Sequence, residues 1–242
     1  MYKESFLMAW ASLIANKLRS LLTMLGIIIG VAAVIALVSI GNGVKQDIED
    51  SISSLGSNLL VVLPGAPRTP GARSSQGSMK SLKISDYEAI AKLEGVKAAS
   101  PMTNGSYVVI YQNKNWTTSV AGVNSNFQDV NNWTMTSGRF FSDKNVQNRE
   151  RVAVVGQTVV KNLFADEDPV GKEIRVKNIP FRVIGVLKSK GNGTMGNDQD
   201  DTVLIPYTTS MERVEGIDYL RRVYVVAKDD GGIDRLQADI EL

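Results

Sequence analysis

The chain has 242 residues, with 27 Lys and Arg against 25 Asp and Glu, a formal net charge of +2, and neither Cys nor His. The missing residue types exclude zinc held by Cys or His, thiol nucleophiles, imidazole bases and disulfides. Near-neutral charge gives no electrostatic case for nucleic acid, and no G-x-x-x-x-G-K-[ST] loop is present to cradle a nucleotide phosphate, so a nucleotide-driven motor belongs on another chain or domain.

Residues 1–20 place Phe6, Trp10, Leu13, Ile14 and Leu18 on one helical face, with Lys3, Glu4, Asn16, Lys17 and Arg19 mostly elsewhere. This pattern predicts an amphipathic helix lying in a membrane interface, with Trp10 at headgroup level. The alternative is a simple extension of the next helix. Residues 21–40, LLTMLGIIIGVAAVIALVSI, carry no charge, and only Thr23 and Ser39 are polar. Twenty helical residues reach about 30 Å, the thickness of bilayer hydrocarbon. A cleavable signal has a shorter apolar segment, about 7–15 residues, and a small-x-small cleavage site, which LVSIGNGVK lacks. The run is therefore read as a transmembrane helix. Lys17 and Arg19 precede it, whereas Lys45 is followed by Asp47, Glu49 and Asp50. The positive-inside bias puts the N-terminus in the cytoplasm and residues 41–242 outside. Gly26 and Gly30 form a G-x-x-x-G that would let a neighbouring helix approach closely.

Residues 41–57 repeat Val44, Ile48, Ile52 and Leu55 at helical spacing up to Gly56, a C-cap candidate. They predict that the transmembrane helix continues outward as a stalk, with Gly41 and Gly43 as a kink site. Asn58–Pro64 reads as a buried strand. Residues 64–81 are rich in Pro, Gly and Ser, carry Arg68, Arg73 and Lys80, and read as a loop. Ser85 and Glu88 have capping-box spacing and predict a helix from Asp86 to Leu93, stopped at Gly95. VKAAS then reads as a strand, closing a strand–loop–helix–strand unit from Leu59 to Ser100. Between Pro101 and Asp201 the runs SYVVIY, WTTSVAGV, RVAVVG, EIRV and FRVIGVL read as strands, interrupted by one short helix, Gln157–Phe164. The remainder offers the strand TVLIP, a helix near Tyr207–Val214, the strand RRVYVVAK and a helix from Ile233. This last strand and helix echo the first unit, and the sequence ends at Leu242 before a return strand, as a fragment of a longer protein would.

Candidate chemistry is sparse. Residues 191–196 fit G-x-G-x-x-G, but no helix pattern follows to aim an N-terminus at a pyrophosphate, so a hairpin or loop is the reading. Asp198, Asp200 and Asp201 lack calcium-loop spacing and read as a solvated acidic turn. Asn104, Asn115, Asn132 and Asn192 begin N-x-[ST] tripeptides that matter only in a glycosylating host. A Ser nucleophile with a Lys base needs neither Cys nor His, yet no Ser/Lys pair stands out.

The blocks ANKLRSLLTMLGIIIGVAAVIALVSIGNGVKQDI, LGSNLLVVLPG and VAVVGQTVVKNLFADEDPVGKEIRVKNIPFRVIGVL resemble the MacB-type permeases of ABC transporters, in the FtsX-like superfamily. The last block is the most specific, with Asn162-Leu163-Phe164, Pro169-Val170-Gly171-Lys172 and Val183-Ile184-Gly185-Val186 in that order. The resemblance implies an α+β chain, divided as follows: an interfacial helix at 1–20, a transmembrane helix at 21–40 and a stalk helix at 41–57. Outside the membrane would lie a first porter-like β-α-β part at 58–100, an inserted strand-rich, sabre-like subdomain at 101–201, and a second, truncated porter-like part at 202–242. It further implies a non-catalytic permease subunit of the bacterial inner membrane, without cofactor or metal, that converts cytoplasmic ATP hydrolysis into extracytoplasmic motion driving efflux of drugs, peptides or lipoproteins. The implied partners are the membrane, an ABC-type ATPase, a second permease protomer, a periplasmic adaptor and, in Gram-negative cells, an outer-membrane exit duct. On this reading Phe6, Trp10, Leu13 and Ile14 lie near the ATPase, Gly26 and Gly30 against a neighbouring helix, and Val44, Ile48, Ile52 and Leu55 in a stalk contact. The family's second to fourth spanning helices have no counterpart in the sequence, which resembles the type without a fused ATPase, or a piece cut from the fused one. A membrane-anchored sensor or solute-binding domain has the same layout and is the alternative.

Overall fold

A computed structural model of the chain describes residues 3, 6, 8, 16–55, 58–65, 80–165, 167–193, 197–228 and 233–240. It divides into two compact units, residues 1–50 and 51–242. The helix α1, Lys17–Leu55, holds 39 residues and continues through Gly41 and Gly43 without interruption. At about 1.5 Å per residue it is about 58 Å long. Thr23 donates its hydroxyl to the Arg19 carbonyl at 2.9 Å, so this polar side chain is satisfied within its own helix.

Among the described residues the second unit is a nine-stranded assembly: β1 Leu59–Val62, β2 Val96–Tyr111, β3 Lys114–Val123, β4 Met135–Gly138, β5 Val152–Val155, β6 Glu173–Val176, β7 Ile179–Leu187, β8 Thr202–Pro206 and β9 Arg222–Ala227. The spatial order is β1-β9-β2-β3-β8-β5-β7-β4, with β6 bridging β2 and β7. VKAAS and SYVVIY, read as separate strands, are the two ends of the 16-residue β2. Pro101 reads as a break in sequence because it lacks an N–H. Here β2 pairs with β9 up to Met102 and with β3 only from Thr103, so Pro101 has a neighbour on one side and no ladder bond is lost.

This change of partner divides the unit into two sheets. In the smaller, β1 and β2 flank β9, each antiparallel to it, and are therefore parallel to each other. They are joined through the helix α2, Ile84–Ile90, which makes a β-α-β unit split by a strand from the far end of the chain. The packing of α2 covers one face together with the C-terminal helix Ile233–Ile240; Ile90, Val223, Val225 and Leu236 are buried between them. In the larger sheet, β5 lies between β7 and β8, and all four of its residues are buried. Ala153 and Val155 enter one core with Leu163, Ile174 and Phe181, while Val152 and Val154 enter a second with Phe127, Trp133 and Leu187. A strand covered on both faces is an unbroken apolar run, which is how RVAVVG reads.

Three local expectations are corrected. The first helix after the loop begins two residues earlier than Ser85–Glu88 predicts. Lys83 is its N-cap, and the Asp86 carboxylate accepts the Lys83 N–H at 2.8 Å; Ser85 bonds its neighbour Asp86 instead. The strand-rich middle holds two further short helices, α3 Phe127–Val130 and α4 Asp143–Gln147. The latter starts at Ser142, whose N–H and hydroxyl both reach Asn145 Oδ1, at 2.8 and 2.9 Å. The expected helix Gln157–Phe164 is α5, Gln157–Leu163, and the one near Tyr207–Val214 is a short α6, Tyr207–Thr209, running into a π-helical turn, Ser210–Glu215. The Ile233–Ile240 helix is α7. Gly56 and residues 66–79 of the basic loop lie outside the described residues.

Candidate functional site

The apolar stretch of α1 is where composition and exposure disagree with an aqueous surrounding. From Leu18 to Val38, thirteen large apolar side chains are 47% to 78% exposed. At about 1.5 kcal/mol each, at the low end for burying such a side chain, their exposure to water costs on the order of 20 kcal/mol, above the 5–15 kcal/mol net stability of an ordinary domain. The segment Lys17–Ser39 is long and apolar enough to cross a membrane. Gly26 and Gly30 lie within it, and a Cβ built on either meets no atom within 4 Å. Phe6 is 69% exposed, while Trp10, Leu13 and Ile14 lie outside the described residues. Val44, Ile48, Ile52 and Leu55 fall on the α1 backbone, with side chains outside the described set. Gly26, Gly30, Val44, Ile48, Ile52 and Leu55 thus share one helix, while Phe6 precedes it.

In the β unit, the acidic segment is a framework rather than a solvated turn. Asp200 is 6% exposed and accepts the Lys190 N–H at 2.8 Å, the Gly191 N–H at 3.1 Å and the Ser189 hydroxyl. Asp198 accepts the Thr158 hydroxyl at 2.6 Å and the Asp200 N–H at 2.8 Å, and Asp201 accepts the Trp116 indole N–H at 2.8 Å. Each carboxylate is engaged by protein donors. Between them, Gly193 N–H bonds Asn197 O and Gln199 N–H bonds Gly191 O, with Asn192 bridging Asp198. This ladder is the hairpin expected of the glycine-rich stretch, whose residues 194–196 lie outside the described set. Gly191 has φ +72°, a conformation that L side chains rarely adopt.

Burial lowers the pKa of Lys190 below the ordinary lysine value. Its ammonium donates to Asn131 O and lies 4.5 Å from the centroid of the Trp133 ring. The adjacent Ser189 hydroxyl is committed to Asp200. The neighbouring serine and lysine are therefore held apart by separate partners, which gives the Ser/Lys hydrolase reading no support here. The sequence carries no warning that Asp200 is buried; the Asp-rich stretch has the composition of a surface turn.

The two sheets meet at a buried polar seam. Thr103, on the first β2 residue paired with β3, lies 2.8 Å from the Ser210 hydroxyl. Ser210 donates to Glu215 at 3.1 Å, and Glu215 lies 3.5 Å from the Arg221 guanidinium just before β9. Across the same junction Asn124 donates to Ala99 O at 2.9 Å and to the Tyr87 hydroxyl at 3.1 Å. Burial raises the pKa of the Tyr87 phenol, an effect that the Asn124 bond partly offsets.

Comparison with known proteins places this architecture. A family model for the MacB-like periplasmic core domain matches residues 20–242. The chain belongs to the MacB-like periplasmic core domain family. Among the family's curated members, the macrolide export ATP-binding/permease protein MacB of Rhodospirillum rubrum is 45% identical over 242 residues, covering 99% of this chain and 37% of the relative. MacB of Marinobacter nauticus is 40% identical, covering 98% of this chain and 36% of the relative. The chain thus spans about a third of the length of the MacB proteins it matches. The crystal structure of the periplasmic region of MacB from Actinobacillus actinomycetemcomitans superposes with a TM-score of 0.66 at 26% identity, covering 78% of this chain and 83% of that one. The extracellular domain of the noncanonic ABC-type transporter YknZ from Gram-positive bacteria shares the fold, with a TM-score of 0.62 at 19% identity over 74% of this chain and 88% of that one. The β unit therefore corresponds to the periplasmic region of MacB-type permeases.

Proposed function

We propose that the chain is the membrane-anchoring first part of a MacB-type ABC transporter permease, which couples ATP hydrolysis in the cytoplasm to movement of an extracytoplasmic domain that drives efflux. The observation that carries this reading is α1. It is one uninterrupted 39-residue helix whose first 23 residues are apolar enough to cross a membrane. The other sixteen (39 − 23) include Lys45, Asp47, Glu49 and Asp50 and belong in water. A helix that is continuous from apolar to polar sequence transmits displacement along its axis, because its backbone hydrogen bonds resist stretching. The β unit would then be the moved body. Lys17 and Arg19 before the apolar stretch support a cytoplasmic N-terminus and an extracytoplasmic β unit in the inner membrane.

On this reading the chemistry of ATP hydrolysis lies on an ATPase outside residues 1–242. The permease works as a homodimer, with Val44, Ile48, Ile52 and Leu55 in a stalk contact. Phe6, Trp10, Leu13 and Ile14 sit on the ATPase side, and Gly26 and Gly30 against a neighbouring helix. A periplasmic adaptor, with an outer-membrane exit duct in Gram-negative cells, would receive the exported drug, peptide or lipoprotein; the names of the relatives favour macrolides. The test places Leu at Gly26 or Gly30 in the full-length protein and measures drug export and ATPase stimulation. The expected result is ATP hydrolysis without matching export. Unchanged coupling would remove the helix-contact role. Saturable binding of a solute by the β unit, with export unaffected by its loss, would favour the sensor reading instead.

A further inference from the structure

We propose that the buried chain Thr103–Ser210–Glu215–Arg221 is a pin that locks the angle between the two sheets, so that the β unit moves as one body. Among the described residues the sheets share only β2 as a continuous element, and β2 changes partner between Met102 and Thr103. A single strand crossing from one sheet to another bends more readily than a paired one, because no second ladder crosses there and only side-chain contacts, such as Asn124 on Ala99 O and Phe127 on Tyr224, oppose it. The pin sits at that residue.

Counting protons fixes its direction. The one hydroxyl proton of Ser210 goes to Glu215 Oε1, so in the Thr103–Ser210 pair Thr103 is the donor. The relay therefore starts on the first rung of the larger sheet, passes through the π-helical turn and ends on the Glu215 carboxylate. That carboxylate has its side chain 3% exposed and pairs with Arg221 at the entry to β9, in the smaller sheet. The Arg221 N–H adds a backbone bond to Met102 O at 3.0 Å, directly at the change of partner. A charged acceptor with so little water access strengthens the bonds that reach it.

The π-helical turn is placed to join the halves. Met211 enters the core of the smaller sheet, and Val214 enters a core of the larger one. The extra residue of a π turn rotates successive side chains out of α-helical register, which lets one turn serve two cores. Close approach makes room for it. A Cβ on Gly122, the β3 partner of Thr103, would meet the Ser210 side chain and lie 2.6 Å from Thr103 Oγ1. Any side chain at 122 would drive the turn away from the strand.

The purpose of such a pin rests on the coupling role proposed above, but its existence is tested without transport. The chain has no Cys, so Glu88→Cys on α2 and Asn113→Cys at the β2–β3 turn give two unique spin-label sites, one on each sheet's side. In the full 242-residue chain in detergent, pulsed dipolar spectroscopy reads the distribution of distances between them. Ser210→Ala breaks the relay and is expected to broaden that distribution roughly two-fold, since a freed hinge adds its own amplitude. Thr208→Ala removes a neighbouring hydroxyl bond, to Val146 O at 2.6 Å, that does not touch the junction, and is expected to leave the width unchanged. Gly122→Ala is expected to shift the mean distance. Glu215→Ala, which removes both the acceptor for Ser210 and the partner of Arg221, carries the same test if Ser210→Ala does not fold. An unchanged width in Ser210→Ala or its substitute, or equal broadening in Thr208→Ala, overturns the pin. A rigid junction in a protein whose export is unaffected by α1 variants would leave the pin standing and remove only the coupling role.

Discussion

Replacing Asp200 with Ala tests whether the acidic segment is structural. The substitution deletes the acceptor for two backbone N–H groups, Lys190 at 2.8 Å and Gly191 at 3.1 Å, and for the Ser189 hydroxyl. Hydrogen bonds to a charged acceptor contribute about 1.5–3 kcal/mol each. Lys190 and Gly191 are half-buried, so water recovers part of the loss. Counting only the two backbone bonds at the lower value gives about 3 kcal/mol. For a unit of this size that corresponds to a fall in Tm of roughly 6–12 °C. Asp200→Asn keeps one acceptor oxygen and should lose about half as much. The assay is thermal unfolding of the purified chain followed by tryptophan fluorescence. Trp116 bonds the adjacent Asp201, and Trp133 lies under Lys190, so both report on this region. A loss below about 0.5 kcal/mol for Asp200→Ala, the range of ordinary surface substitutions, would refute the framework role.

Ile28→Asp together with Val34→Asp puts two charges in the middle of the apolar stretch and should cost about 5–7 kcal/mol of membrane insertion. Alkaline extraction of membranes should then release the chain, and full retention would refute a spanning role for α1. Burial raises the phenol pKa of both Tyr87 and Tyr207. The folded state therefore holds these protons more tightly than the unfolded one. The stabilisation is fully present below about pH 10 and is lost as pH rises through the folded-state values. Urea midpoints should fall steeply above about pH 10, and less steeply in Tyr207→Phe; an identical alkaline slope would refute the assignment.

The element types were legible where one physical signal dominated. Leu21–Ile40 needed only length and absence of charge. WTTSVAGV and FRVIGVL needed only β-branched content between turn residues. The sequence misled where tertiary pairing overrode a local rule. Pro101 reads as a strand end because the partner change that makes it harmless appears only when β9, more than a hundred residues later, is placed beside β2. The Ser85–Glu88 frame had a capping box at the right spacing, but Asp86 reaches back to Lys83 and sets the helix two residues earlier. The helices α3 and α4 are four and five residues long, too short to show periodicity, although Ser142-x-x-Asn145 carries a cap-like signal. Neither the buried state of Asp200 nor the Thr103–Ser210–Glu215 relay leaves a pattern in sequence, because their residues are ordinary loop types until the fold brings them together.

The split of the first β-α-β unit also sets a timetable. Leu59 pairs with Val226, a separation of 226 − 59 = 167 residues. At about 5–20 residues per second of synthesis, β1 waits roughly 8–33 s for its partner strand. Throughout that time α2 has no β9 to pack on, and the smaller sheet cannot close. The ladders β2–β3 and β6–β7 close over short separations and are complete before β9 exists. Assembly of the β unit therefore runs outward from the larger sheet. The first strand of the β unit to be made is the last to find its place, and Leu60 and Val62, which pack on the core of the smaller sheet, need shielding from other unfinished chains until it does.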